Sequence, residues 1–210
     1  MVKEREWLRP EATTTVHPNQ TDTIMLLETS TVFVNVSLKP EFYKKVLTIH
    51  YGTTITPFGK ILLGWISSRL CYLVFCDNEH KIQLQELIDL WPAATLISDN
   101  STAAKLAKLI FSSPFKENGL PILVQGSSFQ IKIWQALLHT RPGQTISYSQ
   151  LAQMASSPKA QRAVGSALAA NPLAYLIPCH RVIKKEGTLG NYRWGAGRKR
   201  NMLDWESEAR

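Results

Sequence analysis

The chain has 210 residues, 44% apolar and 19% charged, enough for one large domain or two small ones with real cores, which excludes the disordered and fibrous classes. No apolar run reaches the length of a membrane span, the opening MVKEREWLRP lacks the apolar segment of a signal peptide, and three cysteines do not make a disulfide framework, so a reducing, cytoplasmic setting away from membranes is expected. The net charge of +8 is unevenly placed, with 12 Lys+Arg against 12 Asp+Glu in residues 1–128 and 12 against 4 in residues 129–210, which favours a polyanionic partner for the carboxy-terminal part, nucleic acid before membrane.

Residues 1–23 are polar, Thr-rich and interrupted by Pro10 and Pro18, and read as a tail to which the sequence assigns no role. From TIMLLETSTVFVNVSL to LCYLVF the chain alternates β-branched and polar residues, and TPFG at 56–59 breaks it as a hairpin turn would. DNEHKIQLQELIDLWP then predicts a helix with Ile82, Leu87, Ile88 and Trp91 as its apolar residues and Pro92 after it, and STAAKLAKLIF predicts another. The second half is helical in pattern. FQIKIWQALLH places Phe129, Ile133, Trp134 and Leu137 on one face, and SYSQLAQMA opens with a capping box, Ser147 to Gln150, that sets Tyr148, Leu151 and Ala155 on one side. KAQRAVGSALAAN follows, with Pro158 suited to its first turn and Asn171-Pro172 to its stop. Two helices so closely joined predict a helix-turn-helix.

On a helical wheel the second of these helices has Ala160, Ala163, Val164, Ala167 and Leu168 toward the core, while Arg162, Gly165, Ser166 and Ala169 share the other face. That face is bare apart from one arginine, and a glycine inside a helix costs about 1 kcal/mol relative to alanine. Either the helix is packed on both sides or the face is kept low so that something large can dock on it.

AYLIPCHRVI, residues 174–183, sets Cys179 beside His180 after Pro178 and an apolar run, at what reads as the end of a buried strand. Alone, the dipeptide suits an inert buried thiol better than a nucleophile. A thiol of ordinary pKa near 8.5 needs a base, and that base needs a carboxylate to orient it. The acidic candidates in the basic half are Glu186, Asp204, Glu206 and Glu208. Zinc is the competing chemistry. Cys179 and His180 are adjacent rather than two to four apart, and Cys71 and Cys76 have no histidines at finger spacing, so these two read as buried free thiols and no metal or other cofactor is expected.

IPCHRV at 177–182, SYSQLA at 147–152, PKAQRAVGSALAANP at 158–172 and GNYRWG at 190–195 closely resemble the O6-alkylguanine-DNA alkyltransferases. The resemblance is specific from Phe129 to Glu206, weaker from Leu47 to Phe111, where TTITPFGKILLGW looks like the family's amino-terminal hairpin, and absent over residues 1–45. It implies an α+β protein with three parts: an extension of unknown role over 1–45, a ribonuclease H-like sheet-and-helix domain over 46–124, and a mainly helical domain over 125–210 with a winged-helix-like helix-turn-helix and the active-site cysteine. It implies that Cys179 accepts the alkyl group, that His180 deprotonates it through a water, and that Glu206, in MLDWE, holds His180. Asn171 would brace the turn before the cysteine and Tyr148 would give a proton to guanine N3. Arg162 would fill the gap left by an extruded nucleotide, on a DNA-facing helix with Gly165, Ser166 and Ala169. Pro178, Val182, Tyr192, Arg193 and Trp194 would line the substrate pocket; Arg193 and Trp194 replace the Ser and Gly of many members, which bears on tolerance of bulky alkyl groups.

The implied function is single-turnover transfer of a methyl or larger alkyl group from O6-alkylguanine, and from O4-methylthymine, in duplex DNA bound through its minor groove, by a monomer acting in the cytoplasm, on the nucleoid in a bacterium. A binding-only lesion sensor like the alkyltransferase-like proteins is the alternative, but those carry Trp where this chain has Cys179. A Cys-His hydrolase would leave the bare helix face and the concentrated charge without a purpose.

Overall fold

The computed structural model describes residues 23–28, 36–37, 47–77, 79–112 and 120–208; of the expected tail at 1–23, residues 1–22 lie outside the described residues and Thr23 is the first residue of a strand. Its first half is a sheet with two helices, formed in chain order by β1 (Thr23–Glu28), β2 (Val36–Ser37), β3 (Thr48–Thr56), β4 (Gly59–Ile66), β5 (Arg69–Phe75), α1 (Lys81–Leu90), β6 (Thr95–Ser98), α2 (Asn100–Ile110) and β7 (Pro121–Gly126). The seven strands lie in the order β2-β1-β7-β5-β4-β3-β6, so two strands from within residues 1–45 pair at one edge. TPFG is a hairpin turn, as its sequence predicts: Thr56 pairs with Gly59, whose φ of 117° only glycine adopts easily, and Pro57 and Phe58 form the tip.

Both faces of the sheet are covered, which is why KILLGWI and RLCYLVF are nearly unbroken apolar runs. Leu62, Cys71, Val74 and Leu123 face α1, while Ile61, Leu63, Leu73, Phe75 and Val124 face the core shared with the helical half. Cys71 and Cys76 are buried free thiols in this packing. On α1 only Leu87 and Trp91 of the four predicted apolar residues are buried; Ile82 is 70% exposed and Ile88 38%, because α1 touches the sheet with a narrow stripe. Glycine is required at position 52, where α2 lies flush on β3. An added Cβ would stand 2.6 Å from the Asp99 carbonyl oxygen and 2.9 Å from the Asn100 Cα.

The second half comprises α3 (Ser128–Leu138), β8 (Ile146–Ser147), α4 (Tyr148–Met154), α5 (Gln161–Ala169), a 3-10 turn (Cys179–Arg181), β9 (Val182–Ile183) and α6 (Ala196–Glu208). The predicted capping box at Ser147 and Gln150 is formed, and Ser127 and Gln130 form another on α3. Ile133, Trp134 and Leu137 pack inward from α3, and the Trp134 indole donates to the Ala167 carbonyl at 2.9 Å, fixing α3 to α5. The helix-turn-helix is α4 and α5. Pro158 lies in the turn before α5 rather than in its first turn, since Ala160 is the residue at which the helix starts, and Ala163 is exposed, which narrows the buried face to Val164, Ala167 and Leu168. No helix among the described residues is long and apolar enough to cross a membrane.

The two halves meet where Leu73 of β5 pairs with Leu173: Leu73 donates its amide to Pro172 and accepts from the Ala174 amide at 2.7 Å. Because α2 has no room to settle on a larger residue, Gly52→Ala should lower stability by about 1–3 kcal/mol, the usual cost of overpacking a closed site. Urea unfolding monitored by tryptophan fluorescence measures this, and an unchanged midpoint would mean that α2 is not seated on β3 as described.

Candidate active site

Cys179 does not end a strand. The residues before it, 174–177, form turns, and Cys179 opens the 3-10 turn that leads into β9. The chain reverses there because Tyr175 has a left-handed backbone, φ 67°, and because Asn171 holds the loop from within. The Asn171 side chain is buried, accepts from the Leu173 amide at 2.9 Å, and donates to the Ile177 carbonyl at 2.9 Å and to Cys179 Sγ at 3.2 Å. The parallel pairing of β8 with β9, Ile146 to Val182 and Ser147 to Ile183, ties this turn to the start of α4, so Tyr148 and the thiol share one site.

Behind the turn lies a charged cluster. His180, Arg181 and Glu206 are each less than one-tenth exposed. Glu206 accepts from His180 Nε2 at 2.9 Å, from Arg181 Nη2 at 2.8 Å and Nε at 3.0 Å, and from the Gly143 amide at 2.9 Å. Arg181 in turn donates to the carbonyl and hydroxyl of Thr140. Burial pushes the Glu206 carboxyl up, but the hydrogen bonds and charges of His180 and Arg181 outweigh it and bring the pKa down to about 2. Burial also drives the His180 pKa below 6.5 against the pull of Glu206, so the ring is neutral near pH 7. A neutral imidazole facing a carboxylate through Nε2 carries its proton there. Nδ1 is therefore the basic nitrogen, and it is buried without a hydrogen-bond partner among the described residues. Tyr175 stacks on the ring at 5.9 Å and fixes its plane.

The thiol, 5% exposed, opens into a cleft of about 470 Å³ lined also by Tyr148, Gly165, Leu168, Ala169 and the loop Asn191–Trp194. Burial raises its pKa, while the Asn171 amide, the Lys199 ammonium and the Tyr192 hydroxyl pull it down without prevailing. Lys199 is itself buried, held by the Val182 and Leu189 carbonyls, and burial lowers its pKa to about 8. Tyr148 and Tyr192 are raised, first by burial and then by the charge of Cys179, and stay protonated.

Of the sequence-predicted residues, Cys179, His180, Glu206, Asn171 and Tyr148 come together at this site. Tyr192, Arg193 and Trp194 line the cleft; Pro178 and Val182, both buried, are not among its lining residues. Arg162, Ser166 and Ala169 lie exposed on α5 beside the cleft mouth. At Gly165 an added Cβ would meet only Tyr148 Cε1, at 3.9 Å, so the protein's own packing does not demand glycine. Sequence reasoning passed over Arg181, Thr140, Gly143 and Lys199. Their signal lay in α6, whose inward stripe Lys199, Met202, Glu206 has helical spacing but two charges, and such charges must be paired.

The family model for the DNA-binding domain of 6-O-methylguanine DNA methyltransferase matches residues 128–208. The inducible methylated-DNA–protein-cysteine methyltransferase of Bacillus subtilis is 37% identical over 152 residues, 69% of this chain and 84% of that protein. The chain belongs to the methylated-DNA–protein-cysteine methyltransferase family. The bifunctional transcriptional activator/DNA repair enzyme Ada of Escherichia coli is also 37% identical, over 169 residues covering 77% of this chain but 46% of Ada, so the chain spans about half the length of that relative. A crystal structure of Mycobacterium tuberculosis OGT in complex with DNA superposes with a TM-score of 0.61 at 29% identity, covering 76% of this chain and 94% of that one. The methyltransferase fold is thus the mixed sheet-and-helix architecture that the resemblance implies.

The charged cluster has a pH signature. The Glu206 carboxyl has a folded value of about 2 against its ordinary 4.5, so its contribution is complete above about pH 4.5 and lost as pH falls toward 2. His180, held below 6.5, adds to the loss as pH drops through 6.5, because only the unfolded ring then gains a proton. Wild-type protein should lose on the order of 3 kcal/mol more than Glu206→Gln between pH 6 and pH 2.5. Urea midpoints at a series of pH values measure the difference, and parallel curves for the two proteins would contradict it.

Proposed function

We propose that this chain repairs alkylated duplex DNA by a single transfer of a methyl or larger alkyl group from O6-alkylguanine, or O4-methylthymine, to Cys179. The observation that carries the proposal is the thiol at the floor of a cleft beside the helix-turn-helix, next to a histidine held in its Nε2–H form by Glu206. The Cys179 proton passes through a water to His180 Nδ1, and the sulfur attacks the alkyl carbon. The carbon–oxygen bond breaks, its electron pair goes to the purine, and Tyr148 supplies a proton at N3, which the imidazolium later restores. A thioether forms, and since it is a poor leaving group nothing regenerates the thiol. Glu206 and Asn171 act as positioning residues, through His180 and through the loop.

The lesion oxygen lies inside the stack, so the nucleotide must leave the duplex, and the projecting Arg162 on an otherwise low face suits the vacated place. Gly165, Ser166 and Ala169 keep α5 shallow enough to meet the minor groove, and the basic half supplies phosphate contacts that are salt-sensitive and indifferent to sequence. The protein acts as a monomer on cytoplasmic DNA, which in a bacterium is the nucleoid.

The test is single-turnover transfer from a duplex carrying labelled O6-methylguanine, followed by peptide mass spectrometry. One methyl on the Cys179 peptide is expected; a methyl elsewhere, or none, refutes the proposal. Cys179→Ser should bind the duplex and transfer nothing. Arg162→Ala should slow transfer from the duplex by at least about tenfold while sparing a single strand, which needs no unstacking.

A further inference from the structure

The loop Asn191–Trp194 and helix α5 form two of the walls of the cleft that holds Cys179. One side chain joins them. Arg193 stacks against Trp194 at 5.3 Å, reaches the Ala169 carbonyl just inside the carboxy-terminal end of α5 at 3.5 Å, and pairs with Glu86 on α1 at 2.5 Å. A cation is favourable at that end of a helix, but a 3.5 Å contact is weak, so the firm anchor is Glu86. Glu86 is not free to follow the loop, because the same oxygen accepts from the Tyr72 hydroxyl at 2.8 Å, and Tyr72 is 2% exposed within the sheet core. The chain of contacts thus runs from a rigid strand, through Tyr72 and Glu86, to a guanidinium that ties the two walls together.

We propose that Glu86, although outside the cleft, determines its width and hence the largest alkyl group that Cys179 can accept. The inference rests on the transfer reading above. The pair is half-exposed, with Arg193 and Glu86 side chains 30% and 39% accessible, so it adds little to stability. Its effect is geometric: it holds Arg193 across the walls, where a methyl group needs no extra room and a benzyl group does. Releasing it frees the loop to swing without altering the thiol, His180 or Tyr148, none of which touches Glu86.

Glu86→Gln and Tyr72→Phe are the test variants, with thermal melts to confirm folding. Single-turnover transfer is compared on duplexes carrying O6-methylguanine and O6-benzylguanine. Methyl transfer should stay within about twofold of wild type, while the benzyl-to-methyl rate ratio rises at least about fivefold in Glu86→Gln, with a smaller rise in Tyr72→Phe. A loss of fold or of catalytic alignment would slow both substrates together and leave the ratio alone. Hydrogen–deuterium exchange of the amides at 191–195 gives a second readout that needs no transfer: exchange should quicken in Glu86→Gln. An unchanged ratio with methyl transfer retained, or unchanged exchange in the loop, overturns the assignment. Absence of methyl transfer in the wild type would instead strike the proposed function, and the exchange result would still decide whether Glu86 holds the loop.

Discussion

The structure around the thiol depends on one buried carboxylate. Glu206, 1% exposed, accepts from an imidazole, a guanidinium and a backbone amide, and the donors come from two separate places: His180 and Arg181 from the 3-10 turn, Gly143 from the connection after α3. A buried charge of this kind is a poor source of net stability, because desolvation offsets most of the attraction, but removing one partner leaves the others uncompensated at a cost of about 3–5 kcal/mol. The cluster therefore acts as a specifier. This arrangement of turn, α3 connection and α6 pairs the buried charges with one another and leaves Nδ1 of His180 as the available base.

The electrostatics suit the single use of the thiol that is proposed above. A recycling thiol enzyme gains from a standing thiolate, whereas here burial keeps Cys179 protonated and His180 neutral, which restrains both oxidation and stray alkylation of an idle thiol. The groups that would support the thiolate are already in place in Asn171, Tyr192 and Lys199, so the cost of moving the proton is met locally and at the moment of transfer. In the proposed transfer, an irreversible thioether would then hold the product even with the preceding proton transfer uphill.

Much of this was legible in the residues, and the rest was hidden for physical reasons. The hairpin at Thr56–Gly59, the capping box at Ser147 and the pairing of α4 with α5 follow from short-range signals, and they appear where those signals put them. The strand expected before Cys179 does not, because an apolar run without periodicity fits a buried turn as well as a strand, and the left-handed Tyr175 carries no local cue. Glu206 could be one of four acids by position alone; the family resemblance singled it out, and the geometry joins it to His180. Arg181 went unassigned because its partners lie 25 and 41 residues away, a separation that no window along the chain can see. Pro178 and Val182 show the opposite limit: they flank Cys179 in sequence, yet only Cys179 of the three is among the residues that line the cleft.

Among the described residues, the amino-terminal sheet contributes no side chain to the lining of the cleft, yet the site is built against it. The backbone of Leu73 clasps Pro172 and Ala174 on either side, so the loop leaving α5 is pinned to a central strand. Phe58, at the hairpin tip, packs against Tyr175 at 5.8 Å, and Tyr175 packs on His180, which carries rigidity from the sheet to the base through two rings. Arg198 of α6 donates to the Phe58 carbonyl at 2.7 Å and lies over the Phe75 ring at 4.5 Å, fixing to the same hairpin the helix that bears Glu206. A catalytic relay tolerates errors of only about half an ångström in its supports. The inner face of α6 is polar, with Lys199 and Glu206 buried on it, so the relay proposed there needs an external frame, and a sheet buried on both faces is a stiff one.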